Sequence, residues 1–148
     1  MAQATRIRRP GGFSLIELLI VIAIISTIAV IVSVSSSAIL KHARETAALA
    51  HVQTLVKAQT QFYSMRRRYA ATLEDLSPTG ANLIPEHLAA GTLGGYRFQV
   101  TGAENGFTVN ADPERRDKSG DSSYFSDDSL VTRHNEQTVA TRESPPVK

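Results

Sequence analysis

The chain is apolar at nearly every position from Phe13 to Val34, then amphipathic, then alternating, and polar at its end. The first run carries a single charge, Glu17. It is long enough to cross a bilayer, whose hydrocarbon core takes about 20 apolar residues. Neither Pro nor Gly occurs between Phe13 and Arg67. The sequence therefore predicts one helix over that stretch, roughly 80 Å long at about 1.5 Å per residue. In its second half Ala48, Val52, Leu55 and Phe62 recur at three-, four- and seven-residue steps, with Gln59 in the same stripe. That period predicts one apolar helix face for a domain to cover.

Beyond Arg67 the pattern breaks. Thr72-Leu73-Glu74-Asp75-Leu76 predicts a short helix with an N-cap and an acidic first turn, stopped by Ser77-Pro78-Thr79-Gly80. Pro85 to Ala90 predicts another, opened by Pro and closed before Gly91. Tyr96, Phe98 and Val100 then alternate with Arg97, Gln99 and Thr101. Phe107, Val109 and Ala111 alternate with Thr108 and Asn110. With Gly102 to Gly106 as the turn, this is a hairpin with one apolar face, and the helical stripe is the surface to cover it. Ser123 to Ser126 and Leu130 to Arg133 predict a second hairpin around Asp127-Asp128-Ser129. The fold class expected is α+β: a long N-terminal helix, its first half membrane-spanning, packed by its second half on a small antiparallel sheet.

Composition narrows the chemistry. There is no cysteine, so disulfides, thiol chemistry and Cys-based zinc sites are excluded. The net charge is +2, but Arg6, Arg8 and Arg9 all precede Phe13, and without those three charges the chain stands at −1. The arginines set topology, positive side in the cytoplasm, and are no nucleic-acid signal. His42, His51, His87 and His134 are scattered, with no i, i+4 pair to suggest zinc. No phosphate-binding Gly loop or nucleophile arrangement is present, so neither an enzyme nor a cofactor is expected. Asp117, Asp121, Asp127 and Asp128 share a Gly/Ser-rich region. An acidic solvated turn is the usual meaning, with calcium on Asp121, Asp127 and Asp128 as the alternative. Arg66-Arg67-Arg68 with Tyr63 and Tyr69 is the one basic cluster past the leader. A solvated helix end that complements the dipole is favoured there, and nucleic acid is an unlikely partner.

Gly11-Gly12-Phe13-Ser14-Leu15-Ile16-Glu17, behind a short cationic leader and before the apolar run, resembles the class III signal of type IV pilins and of the pseudopilins of type II secretion. A conventional secretory signal has a shorter apolar region. A plain single-pass anchor does not explain Gly-Gly-Phe-Ser or the carboxylate. The resemblance implies cleavage between Gly12 and Phe13 by a prepilin peptidase, which also methylates the new amine of Phe13. It implies an inner-membrane precursor, cytoplasmic at its N-terminus, and then a filament built on an assembly platform with copies of itself and other pilins. It also implies that Glu17 pairs with the N-terminus of a neighbouring subunit. An unpaired charge in the bilayer costs about 2.5–3.5 kcal/mol on insertion scales, and no Lys or Arg occurs between Phe13 and Lys41.

The expected organisation is a leader over 1–12, the membrane or filament-core helix over 13–34, its amphipathic continuation over 35–68, a globular head over 69–134 and a flexible tail over 135–148. The downstream order resembles bacterial type IV pilins: Tyr63, Tyr69 and Leu73 to Leu76, then Gly95-Tyr96-Arg97-Phe98, Gly106 to Ala111, Ser119-Gly120, Tyr124 to Asp127 and Val131-Thr132-Arg133. Two departures stand out. Many pilins close a C-terminal loop with a disulfide, which this chain cannot form. The family's mid-helix proline is replaced by Val34 among serines, which bend helices less forcefully. A type II secretion pseudopilin is the alternative within the resemblance, and a membrane-anchored binding module the alternative outside it.

Overall fold

A computed structural model of the chain describes residues 12–147, apart from the side chains of residues 31–36. The leader arginines lie outside the described residues. The chain divides into two compact units, residues 1–37 and 38–148. Helix α1, Leu15–Arg66, supplies the described part of the first unit and the opening element of the second. It runs unbroken through Ser33 to Ser37. In the first unit Ser26 and Thr27, within the apolar run, turn their hydroxyls back on the helix. Ser26 Oγ donates to the Ile22 carbonyl at 2.7 Å, and Thr27 Oγ1 to the Ile24 carbonyl at 2.8 Å. Those bonds let Ser and Thr sit in an apolar segment without an unsatisfied donor.

The second unit adds α2 (Leu73–Leu76), α3 (Glu86–Ala89) and five strands: β1 Thr92–Leu93, β2 Tyr96–Gly102, β3 Phe107–Pro113, β4 Ser123–Asp127 and β5 Arg133–Asn135. The strands form one antiparallel sheet in sequence order. This is the α+β fold expected, a helix packed on a small antiparallel sheet. The predicted N-cap of α2 is a full capping box, with Thr72 and Asp75 each accepting a backbone N–H from the other. β2 and β3 bury Tyr96, Phe98, Val100, Phe107, Val109 and Ala111. They meet Ala48, Val52, Leu55 and Phe62 of α1, joined by Ala58, in one core. Fully burying a side chain such as Phe62 or Leu55 contributes about 1.5–3 kcal/mol.

Gln59 lies in this stripe, completely buried. Its side-chain amide donates to the Ala70 carbonyl at 2.8 Å, and its oxygen accepts the Ala70 N–H at 2.8 Å. The strap after α1 is thus held by a side chain that imitates a backbone partner. Gly102 closes the other side. A Cβ there would lie 2.2 Å from the Ala70 oxygen, so only glycine permits the approach.

Two expectations are corrected. The second hairpin pairs Phe125 with Arg133 and Ser123 with Asn135, so its return strand starts three residues later than Leu130. Leu130 is instead a turn residue at φ 62°. The polar segment after Asn135 is also no loose tail. Pro145 accepts the His134 N–H at 3.0 Å, Val147 N–H donates to Thr132 at 2.9 Å, and Arg133 Nη1 donates to the Ser144 carbonyl at 3.0 Å. Arg142 bridges the carboxylates of Asp127 and Asp128. With this cover, β4 is buried at every position. The physical reason is the Asp127 carboxylate, 1% exposed, which requires a cation and takes it from the C-terminal segment.

Two consequences follow for stability. Gln59→Leu leaves both polar groups of Ala70 buried without partners, at about 1–3 kcal/mol each. It should lower the melting temperature of the full chain in detergent markedly; an unchanged transition contradicts the strap. At Asp127, burial pushes the carboxyl up, but the bonds from Ser129 and Arg142 outweigh it and hold the group below its usual range. A depressed folded value gives a contribution that is full above the unfolded value, about 3.9, and is lost as pH falls through the folded one. Protection factors of the amides over residues 136–147, which discount the slower intrinsic exchange in acid, should therefore fall below about pH 4. In Asp127→Asn they should be low at neutral pH already, without that acid step.

Candidate processing and assembly site

The N-terminal site is built on the start of α1. Gly12 and Phe13 precede the helix in extended or irregular backbone. The Ser14 carbonyl accepts the Leu18 N–H at 3.1 Å, which makes Ser14 the helix cap. Glu17 is then the third helical residue, in the first turn. Ser14 and Glu17 have capping-box spacing, a signal also present in the sequence. Among the described residues, however, neither side chain makes a hydrogen bond or ion pair. Glu17 faces outward, near the positive end of the helix dipole.

The surroundings of Glu17 are apolar and uncovered. Phe13 is 80% exposed and Leu15 82%, and Ile16, Leu18, Leu19, Ile20, Ile22, Ile24, Ile25 and Ile28 are all exposed as well. Exposed apolar surface on every side of a helix marks a segment meant for lipid or for other helices. Among the described residues no helix is long and apolar enough to cross a membrane. The apolar run of the sequence continues to Val34, past Val30, where the described side chains pause.

Gly12 has no structural need to be glycine. A Cβ placed on it meets nothing within 4 Å. Whatever requires a small residue at Gly12 therefore acts from outside the described fold.

The acidic residues considered for calcium are not gathered into one site. Asp121 pairs with Lys41 on α1. Its N–H donates to Glu45 Oε1 at 2.7 Å, and Arg44 Nη1 donates to the Lys118 carbonyl at 2.9 Å. These bonds dock the loop between β3 and β4 on the helix. The hydrogen bond from Lys41 holds the Asp121 carboxyl below its usual range, and the same bond raises the Lys41 ammonium. Asp127 and Asp128 face Arg142 instead. Among the described residues no group of three or more His, Cys, Asp or Glu is arranged to hold a metal. The local Asp spacing resembled a cation loop because the balancing cations, Lys41 and Arg142, come from distant sequence.

Residues 7–33 match the prokaryotic N-terminal methylation motif. The match spans Gly12, Phe13 and Glu17 and covers the N-terminal part of the chain only. No curated protein matches the chain. The chain thus carries the signal of type IV pilins and pseudopilins.

Proposed function

We propose that this chain, bearing the prepilin-type methylation signal at residues 7–33, is a type IV pilin-like structural subunit. In this reading it is inserted in the inner membrane by its apolar helix, with the N-terminus in the cytoplasm. A prepilin peptidase cuts between Gly12 and Phe13 and methylates the freed Phe13 amine. The processed subunits, with other pilins, then enter a filament through an inner-membrane assembly platform. The observation that carries the reading is the motif seated on a helix start whose apolar side chains are exposed all round. Such a helix suits lipid first and a bundle of like helices afterwards.

Glu17 supplies the specificity in this reading. No described residue neutralises it, and its own helix offers no Lys or Arg before Lys41. Cleavage creates the missing cation, the α-ammonium of Phe13, which stays positive on N-methylation. A neighbour's ammonium on Glu17 fixes the stagger between helices. The order of the C-terminal motifs favours a pilus subunit over a secretion pseudopilin. The engagement of Asp127 and Asp128 by Arg142, where a cation loop would need them free, supports the same choice.

Replacing Glu17 by Gln keeps the shape and removes the charge. Insertion and cleavage should survive, since a neutral side chain is cheaper in lipid. Assembly should fail, because stranding one partner of a buried ion pair costs about 3–5 kcal/mol, and the loss recurs at every added subunit. Processed Glu17→Gln protein should accumulate in the membrane with few filaments by electron microscopy. Abundant filaments of this variant contradict the registration role and favour a simple anchor.

A further inference from the structure

Arg66, Arg67 and Arg68 stand exposed at the end of α1, and among the described residues no side-chain hydrogen bond or ion pair engages them. Arg67 has φ 59°. Helices commonly end with glycine in this left-handed conformation, because any Cβ is strained there. A cationic side chain is thus kept where the backbone alone selects glycine. Tyr63 lies three residues before Arg66, one turn along the same helix face, and its carbonyl accepts the Arg67 N–H at 2.8 Å. Its ring stacks on Tyr69 at 4.7 Å with planes 25° apart, and Tyr69 leans on Phe107 at 4.9 Å. Phe107 belongs to the core. The three rings form a column rooted in the core and ending at Tyr63, which is 37% exposed.

We propose that Tyr63, Arg66, Arg67 and Arg68 form a site for single-stranded nucleic acid. A base extends the aromatic column on the outer face of Tyr63, and the guanidinium groups meet the flanking phosphates. From sequence alone these arginines are a solvated helix end. The ring geometry adds a planar platform held rigid from behind, next to three unpaired cations. A bare cationic patch serves any polyanion. A platform ending in a ring that is 37% exposed distinguishes unstacked bases from a duplex, whose bases are already stacked on each other.

The test titrates the full chain in detergent micelles with a fluorescent oligothymidylate, an abasic oligodeoxynucleotide of equal length and a duplex. The oligothymidylate should bind most tightly. Tyr63→Leu should weaken it roughly 5- to 150-fold, the range that one stacked base supplies, and leave the abasic strand unchanged. Tyr63→Phe should keep the affinity. Arg67→Gln should weaken all three ligands and flatten the salt dependence. Equal binding of oligothymidylate and abasic strand to the unaltered chain overturns the proposal, as does full binding by folded Tyr63→Leu or no binding at low salt. The first comparison needs no variant, so it decides even if Tyr63→Leu fails to fold.

Discussion

A carboxylate on an otherwise apolar helix must find a positive partner or lose its charge, and that constraint governs how the N-terminal half of this chain can be used. Glu17 sits in the first turn of α1, where the dipole favours it, but no described residue pairs with it. Around it the helix exposes mostly large apolar side chains. In water such a surface is an aggregation hazard. In lipid or a helix bundle it is in its proper solvent, and the charge becomes the one costly feature. In the proposed function, a freed amine at Phe13 removes that cost when two subunits meet in register. On that proposal cleavage, anchoring and assembly are three uses of one arrangement, and Gly12, where a Cβ would meet nothing within 4 Å, serves the first.

The head solves a different problem, that of a small cysteine-free domain. Its hydrophobic core is one helix stripe against the inner face of one sheet, completed by Ala70, Leu76, Ile84 and Leu88, and small domains are marginal on such cores. Polar bonds to distant sequence supply the closure that a disulfide would otherwise give. Gln59 holds the strap at Ala70, Glu45 and Lys41 hold the loop at Asp121, and Arg142 holds the chain end on Asp127 and Asp128. The Asp127 contact matters most, because removing Arg142 strands a carboxylate that is 1% exposed. The exposed pairs contribute less.

The parts of the fold set by period were legible in the sequence. Ala48, Val52, Leu55 and Phe62 marked the docking face, and the alternation from Tyr96 to Ala111 marked the central hairpin with its inner side. Contacts that depend on long-range pairing were not legible. Nothing local distinguishes a tail that Arg142 pins to β4 from one that is loose, because the pinning residue looks like any solvated arginine. The Asp cluster suffered the same ambiguity, since its cations come from α1 and from the chain end. Leu130 looked like a strand residue by composition yet is a left-handed turn residue, a choice made by the bond between its N–H and the Asp127 carbonyl at 2.9 Å. At the N-terminus the sequence carried the motif, and the structure added the exposure of the apolar side chains and the open space at Gly12.

The central claim is that this chain is cut at Gly12 so that a charged Phe13 amine becomes available to Glu17. Mass spectrometry of the N-terminus of the membrane-extracted native protein tests it most directly, with Gly12→Val beside it. The account predicts an N-methylated chain beginning at Phe13 for the native sequence, and uncut precursor for Gly12→Val, whose added side chain the fold itself would accommodate. An intact Met1 in the native protein, a cut after the apolar run, or normal processing of Gly12→Val would contradict it.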